Sequence, residues 1–140
     1  MMKIRLSSVL VQTVMSLVSC CTIAQADEDW LQLKGNAQRS GNAANVSLQT
    51  PLSLAAAIPL TDGIYTSPVI SDGNIFVVDG SGVVFAIDGK TNQVLWKFAT
   101  KGGAGNCSNV ASPAIIDQYL HVGTTAGYYY VLDLKDGSVV

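Results

Sequence analysis

A chain of 140 residues that is 49% hydrophobic and only 13% charged is not a disordered chain, and its length bounds it to about one small domain. Its formal charge of −2 leans acidic, which disfavours nucleic acid and anionic membrane surfaces as partners.

The chain opens on Lys3 and Arg5, then an apolar run from Leu6, then the small-residue stretch Ala24-Gln25-Ala26 ahead of Asp27. That order reads as a secretory signal peptide over residues 1–26, so the mature protein is expected outside the cytosol, in the periplasm or the extracellular space. Two alternatives stay open. Leu6 to Ala24 is 19 residues, near the short limit for crossing a bilayer, although Ser, Gln and Thr interrupt it. Leu17-Val18-Ser19-Cys20 resembles the lipobox of bacterial lipoproteins, and acylation at Cys20 would give an outer-membrane lipoprotein whose only membrane contact is that anchor. The abrupt polar onset at Asp27 favours the first cleavage site. Removal of residues 1–26 leaves six basic against ten acidic residues and Cys107 as the one cysteine, which excludes an intramolecular disulfide. Burial as an inert thiol is the expected state of Cys107.

Residues 27–63 are rich in Asn, Ser, Gly and Gln and read as a leading loop with one strand near residues 52–58. Ala55-Ala56-Ala57 does not make a helix of it, because Pro51 and Pro59 bracket too short a segment.

The remainder repeats itself at a spacing of 45 residues. Laying Ser67 on Ser112 aligns 29 positions without a gap, and Pro68/Pro113, Ile70/Ile115, Asp72/Asp117, Val77/Val122, Gly82/Gly127, Asp88/Asp133, Lys90/Lys135 and Val94/Val139 coincide as well. A period in the forties made of short apolar runs and turn residues predicts an all-β protein of β-propeller blades, each with four antiparallel strands. In the first unit, residues 64–110, strands are predicted near 66–71, 74–79, 83–88 and 93–99, separated by Asp72-Gly73, Gly80-Ser81-Gly82 and residues 89–92. Asp72-Gly73 is a tight-hairpin dipeptide. The second unit, residues 111–140, repeats the scheme, with 128–132 as its third strand.

The stretch Ala86-Ile-Asp88-Gly-Lys-Thr91-Asn-Gln-Val-Leu-Trp96 resembles the tryptophan-docking motif of the pyrroloquinoline-quinone-type (PQQ-like) β-propeller family, in its exported bacterial form. Asn92 stands where the family has glycine, and Asn tolerates the left-handed backbone better than most residues. In the second unit Asp133 and Gly137 match, Val131 and Asp136 depart, and the tryptophan position falls one residue past Val140. The resemblance implies a structural motif: an indole packed between blades would contribute several kcal/mol, from roughly 200 Å² at about 25 cal/mol per Å². Ala86 leaves room for it, and Asp88 suits the capping of backbone N–H groups two or three residues on. Two units are fewer than the roughly four to eight of a closed propeller. The sequence thus predicts an incomplete propeller of about two blades plus one leading strand. Its neighbours would be further blades of a longer chain, copies of itself or another protein.

Signals for chemistry are sparse. His121 is the single histidine and reads as a face residue of a strand; no Cys-x-x-Cys or haem-attachment pattern is present. Residues 101–108 are glycine-rich without the ending of a phosphate loop. Asp72, Asp88, Asp117, Asp133 and Asp136 all fall at predicted turns, where they suit capping without a metal. Tyr128-Tyr129-Tyr130 suits sheet packing. Asn45 and Asn106 begin glycosylation patterns that matter only in a eukaryotic host. No catalytic, cofactor-binding or metal-binding residue is assigned, and no cofactor is expected. The leading functional expectation is an exported protein-binding or scaffolding module, similar to the propeller lipoprotein of outer-membrane barrel assembly. The alternatives are the first part of a quinone-dependent dehydrogenase, in which PQQ and calcium would be held by later blades, and a truncated frame without independent activity.

Overall fold

The computed structural model describes residues 29–43, 47, 50–101 and 109–140, and no helix occurs among them. The signal peptide expected over residues 1–26, Cys20, Cys107, Asn45 and Asn106 lie outside the described residues.

Among the described residues seven strands form two antiparallel meanders. The first sheet runs β1 (Val69–Ser71), β2 (Asn74–Val78), β3 (Val83–Asp88) and β4 (Val94–Ala99), in chain order. The second runs β5 (Ala114–Ile116), β6 (Tyr119–Gly123) and β7 (Tyr129–Asp133). A bridge between Leu132 and Val139, with the Val140 N–H donating to the Val131 carbonyl at 2.9 Å, lays the last residues along β7.

The turns behave as their residues require. Asp72 (φ 50°) and Gly73 (φ 73°) are both left-handed, the geometry of a two-residue hairpin whose twist suits its strands. β1 begins only at Val69, later than the apolar run suggests, because Pro68 has no N–H for a ladder. Thr66 instead donates its hydroxyl to the Val78 carbonyl at 2.7 Å.

No strand forms near residues 52–58; Leu52 and Leu54 are exposed at 69% and 84%, and the segment meets no ladder to pair with. The leading paired residue is Trp30, which exchanges two backbone hydrogen bonds with Ile70 and so extends the first sheet beyond β1. Its neighbour Leu31 accepts from the Ile115 N–H at 2.7 Å, so two residues of the leading loop tie β1 and β5, the first strands of the two sheets, together.

Alternation within the strands decides the packing. One face of the first sheet, carrying Val69, Phe76, Val78, Val84 and Ala86, meets Ile115, Leu120, Val122 and Leu132 of the second in the main core. The other face of the first sheet, with Val77, Phe85 and Ile87, is covered by Ile58 and Leu60 of the leading segment.

Candidate functional site

The motif residues converge on the seam between the two sheets. β3 and β4 lose register between Ala86 and Ile87: Ala86 pairs with Trp96 but Ile87 with Val94, so Leu95 is an extra residue, a β-bulge. Ala86, with no exposed surface, lies directly across the ladder from Trp96 and gives the indole its space. Phe76 flanks the indole with ring centroids 5.9 Å apart. The ring then crosses to the second sheet, where its Nε1–H donates to the Leu134 carbonyl at 2.9 Å.

Gly137 forms the floor of that contact. A methyl group added there would stand 2.6 Å from one indole carbon and 2.8 Å from another, and its φ of 72° is itself hostile to a side chain. The same pairing of ring and glycine recurs at Trp30, whose indole lies over left-handed Gly35 with added-methyl distances of 3.1 Å.

Both carboxylates of the motif hold turns. Asp88 Oδ1 accepts from the Lys90 and Thr91 N–H groups, each at 2.8 Å, and Asn92, at φ 59°, closes the turn by donating its N–H to the Asp88 carbonyl. The backbone donor of Thr91, then that of Lys90, holds the Asp88 carboxyl below the usual carboxylate range. Asp133 repeats the pattern through the Lys135 N–H at 2.8 Å and the Gly137 N–H on its carbonyl. Asn92 and Gly137, 45 residues apart, thus occupy one backbone conformation in the two units.

A site that sequence reading missed lies at Asp79, buried at the end of β2. Its Oδ2 accepts from the Thr61 and Asp62 N–H groups and the Thr61 hydroxyl; its Oδ1 accepts from the Ser81 hydroxyl and the Ser81 and Val83 N–H groups. Burial pushes this carboxyl upward, and the donors, led by the Thr61 hydroxyl, outweigh it and leave it below its ordinary value. The available signal was Asp followed by Gly-Ser-Gly, an Asx-turn pattern. At the equivalent place Thr124 caps the β6–β7 turn by accepting the Tyr128 N–H at 3.1 Å.

Other residues singled out in the sequence are placed apart from the seam. His121 pairs with the Tyr129 hydroxyl through Nδ1 at 2.8 Å on the outer face of the second sheet. Tyr130 turns to the seam and meets Phe98 edge-on at 5.3 Å, whereas Tyr128 and Tyr129 are exposed at 48% and 68%. Below the seam a groove of about 430 Å³ opens between the hairpins, lined by Asp72, Asp117, Asp133 and Lys135 among others. Among the described residues no three His, Cys, Asp or Glu side chains are grouped to hold a metal ion.

A family model described as "Outer membrane protein assembly factor BamB", a PQQ-like repeat family, matches residues 53–140. The chain belongs to this family. Two curated members align over 77 residues each. BamB of Legionella pneumophila is 26% identical, over 55% of this chain and 19% of that protein. BamB of Marinobacter adhaerens is 30% identical, over 53% of this chain and 18% of that protein. The chain therefore spans about a fifth of the length of these relatives. Among solved structures, the quinohemoprotein alcohol dehydrogenase of Comamonas testosteroni matches with a TM-score of 0.64 and 22% identity, over 84% of this chain and 19% of that one. BamB of Moraxella catarrhalis matches with a TM-score of 0.53 and 23% identity, over 63% and 26%. At such identities these likenesses establish the β-propeller fold alone.

Proposed function

We propose that this BamB-family chain is an exported scaffold that binds other proteins during outer-membrane protein assembly. The family match across residues 53–140 carries the reading. The geometry supports it in one respect: the motif residues are used to fix one sheet against the next, which leaves rims and faces free as rigid binding surfaces. Ala86, Asp88, Thr91, Trp96, Asp133 and Gly137 hold the scaffold together in this reading and touch no partner themselves. Attachment to the membrane in this reading would come through lipid at Cys20, and the binding partner is protein. No cofactor is proposed. A dehydrogenase reading would take its quinone and calcium ligands from later repeats of a longer chain; among the described residues no three His, Cys, Asp or Glu side chains are grouped.

The test is genetic and biochemical. In a host strain lacking the gene, the amount of folded barrel protein in the outer membrane is expected to fall, and to recover when the gene is restored. Unchanged barrel levels would overturn the reading. Quinone- and calcium-dependent dye reduction by the purified protein would replace it with the dehydrogenase.

A further inference from the structure

Five aspartates of this chain are followed directly by glycine: Asp62, Asp72, Asp79, Asp88 and Asp136. That pairing has a chemistry of its own. The backbone nitrogen of the following residue can attack Cγ of the aspartate side chain, and glycine, lacking Cβ, obstructs the approach least. A bond forms from nitrogen to Cγ and the bond from Cγ to the carboxyl hydroxyl breaks; that oxygen leaves as water, carrying the amide proton and the carboxyl proton. The product is a five-membered cyclic imide, and nothing is oxidised or reduced. Water then opens the imide at either carbonyl. One opening restores aspartate; the other leaves isoaspartate, in which the main chain runs through Cβ and Cγ and is one atom longer.

The fold withdraws three of the five glycine nitrogens from this reaction. Gly80 donates its N–H to the Gly63 carbonyl at 2.7 Å, Gly89 to the Gly73 carbonyl at 3.0 Å and Gly137 to the Asp133 carbonyl at 2.9 Å. The carboxyls beside them are engaged as well: Asp79 by Thr61, Asp62, Ser81 and Val83, Asp88 by Lys90 and Thr91, and Asp136 by the Ser138 N–H at 2.9 Å. Asp72 is fixed in its two-residue hairpin at φ 50°, between the paired Ser71 and Asn74. Asp62 differs from all four. The Gly63 N–H donates to Oδ1 of Asp62 itself at 2.7 Å, and both residues are exposed to water. This hydrogen bond folds the side chain back over the nitrogen, so the ring it closes already contains the five atoms that the imide joins.

We infer that Asp62 is a self-modification site, at which the folded protein converts Asp62-Gly63 to the imide and then to isoaspartate ahead of the other four pairs. The position gives the change a structural consequence. The Asp62 N–H donates to Asp79 Oδ2 at 3.1 Å while the Gly63 carbonyl accepts from Gly80, so two successive residues of the leading segment are matched to two at the end of β2. A main chain longer by one atom cannot keep both contacts, and the cover that Ile58 and Leu60 place over Val77, Phe85 and Ile87 loosens. This inference stands apart from the scaffold reading, since it concerns the covalent lifetime of the chain.

The test is to age the purified, folded protein at neutral pH and physiological temperature and to map its peptides by electron-transfer fragmentation, which distinguishes isoaspartate from aspartate. Isoaspartate at Asp62 is expected to accumulate about fivefold or more faster than at Asp79, Asp88 and Asp136, where a backbone hydrogen bond must break first, and also ahead of Asp72. In the urea-unfolded chain the five sites are expected to react at comparable rates. Asp62→Glu, whose side chain would need a larger ring but whose N–H still reaches Asp79, is expected to abolish modification at that position with unchanged far-ultraviolet circular dichroism. Hydrogen exchange at the Gly80 N–H is expected to quicken on ageing in the unaltered protein and not in Asp62→Glu. No isoaspartate at Asp62, a faster site among the other four, or the same preference in the unfolded chain overturns the inference. Unchanged Gly80 exchange in protein already modified at Asp62 overturns the structural consequence.

Discussion

The two units share a backbone plan and differ in what covers them. The first sheet is sandwiched: one face lies against the second sheet and the other under Ile58 and Leu60, so that Phe76, Val77, Val84, Phe85, Ala86 and Ile87 are all buried. In the second sheet only one face is covered, and its third strand alternates between exposed or half-buried positions and a fully buried Leu132. Sequence similarity at a fixed spacing therefore does not make two units equal in stability. Burial is supplied by neighbours, and among the described residues the first sheet has a neighbour on each face whereas the second has one.

The sharpest way to break this relation is at Gly137, the point where the second unit receives the first. Gly137→Val places a branched side chain into the Trp96 ring and at a left-handed φ; a loss of about 3–4 kcal/mol is expected, read by urea denaturation, and the second sheet should lose its protection from hydrogen exchange before the first. Trp96→Ala removes the other half of the contact. Because the indole is half-buried, a loss of about 3 kcal/mol is expected, at the low end for a large aromatic residue.

A smaller effect concerns the cover on the first sheet. The Asp79 carboxyl titrates below its ordinary value, so its contribution is present at neutral pH and is lost as pH falls through the folded-state value. Stability measured by urea denaturation should decline below about pH 4. Asp79→Asn should flatten that slope while lowering stability at pH 7, because an amide can replace only part of an acceptor set that takes six hydrogen bonds from Thr61, Asp62, Ser81 and Val83. Smallest of all is Asn92→Gly, which relieves a left-handed non-glycine and should raise the melting temperature slightly, corresponding to about 0.5 kcal/mol. In the second unit the same position is already glycine, so the comparison itself predicts the sign.

Much of this arrangement was legible in the sequence because it is local. Asp72-Gly73 declares its hairpin, and the apolar run of Val83 to Asp88 between turn residues marks β3 at the bounds it has in the structure. The capping residues Asp88 and Asp133 act within three residues of their own position, which spacing alone can express. What escaped was non-local. Trp30 pairs with Ile70, forty residues away, and nothing in its polar surroundings announced a ladder. Residues 52–58 form an apolar run suited to a strand, yet a strand is a relation to a partner, and none of the described ladders lies beside them. Asp79 stood at the end of the strand expected over 74–79, and its role as an acceptor emerges only once Thr61 and Asp62 are brought to it from the leading segment. The direction in which Trp96 points was implied by resemblance, whereas the bulge at Leu95 that aims it is a feature of register.

The central claim is that Trp96 and Gly137 form one contact that couples the two sheets, and a double-mutant cycle measures it directly. Equilibrium urea unfolding of the unaltered chain, Trp96→Ala, Gly137→Val and the double variant gives the coupling energy. If the two residues act through one interface, the double variant costs little more than the costlier single one, with a coupling of about 2 kcal/mol or more. Additive losses would mean that the indole and the glycine stabilise the protein independently, and the seam would no longer account for how the repeats are held together.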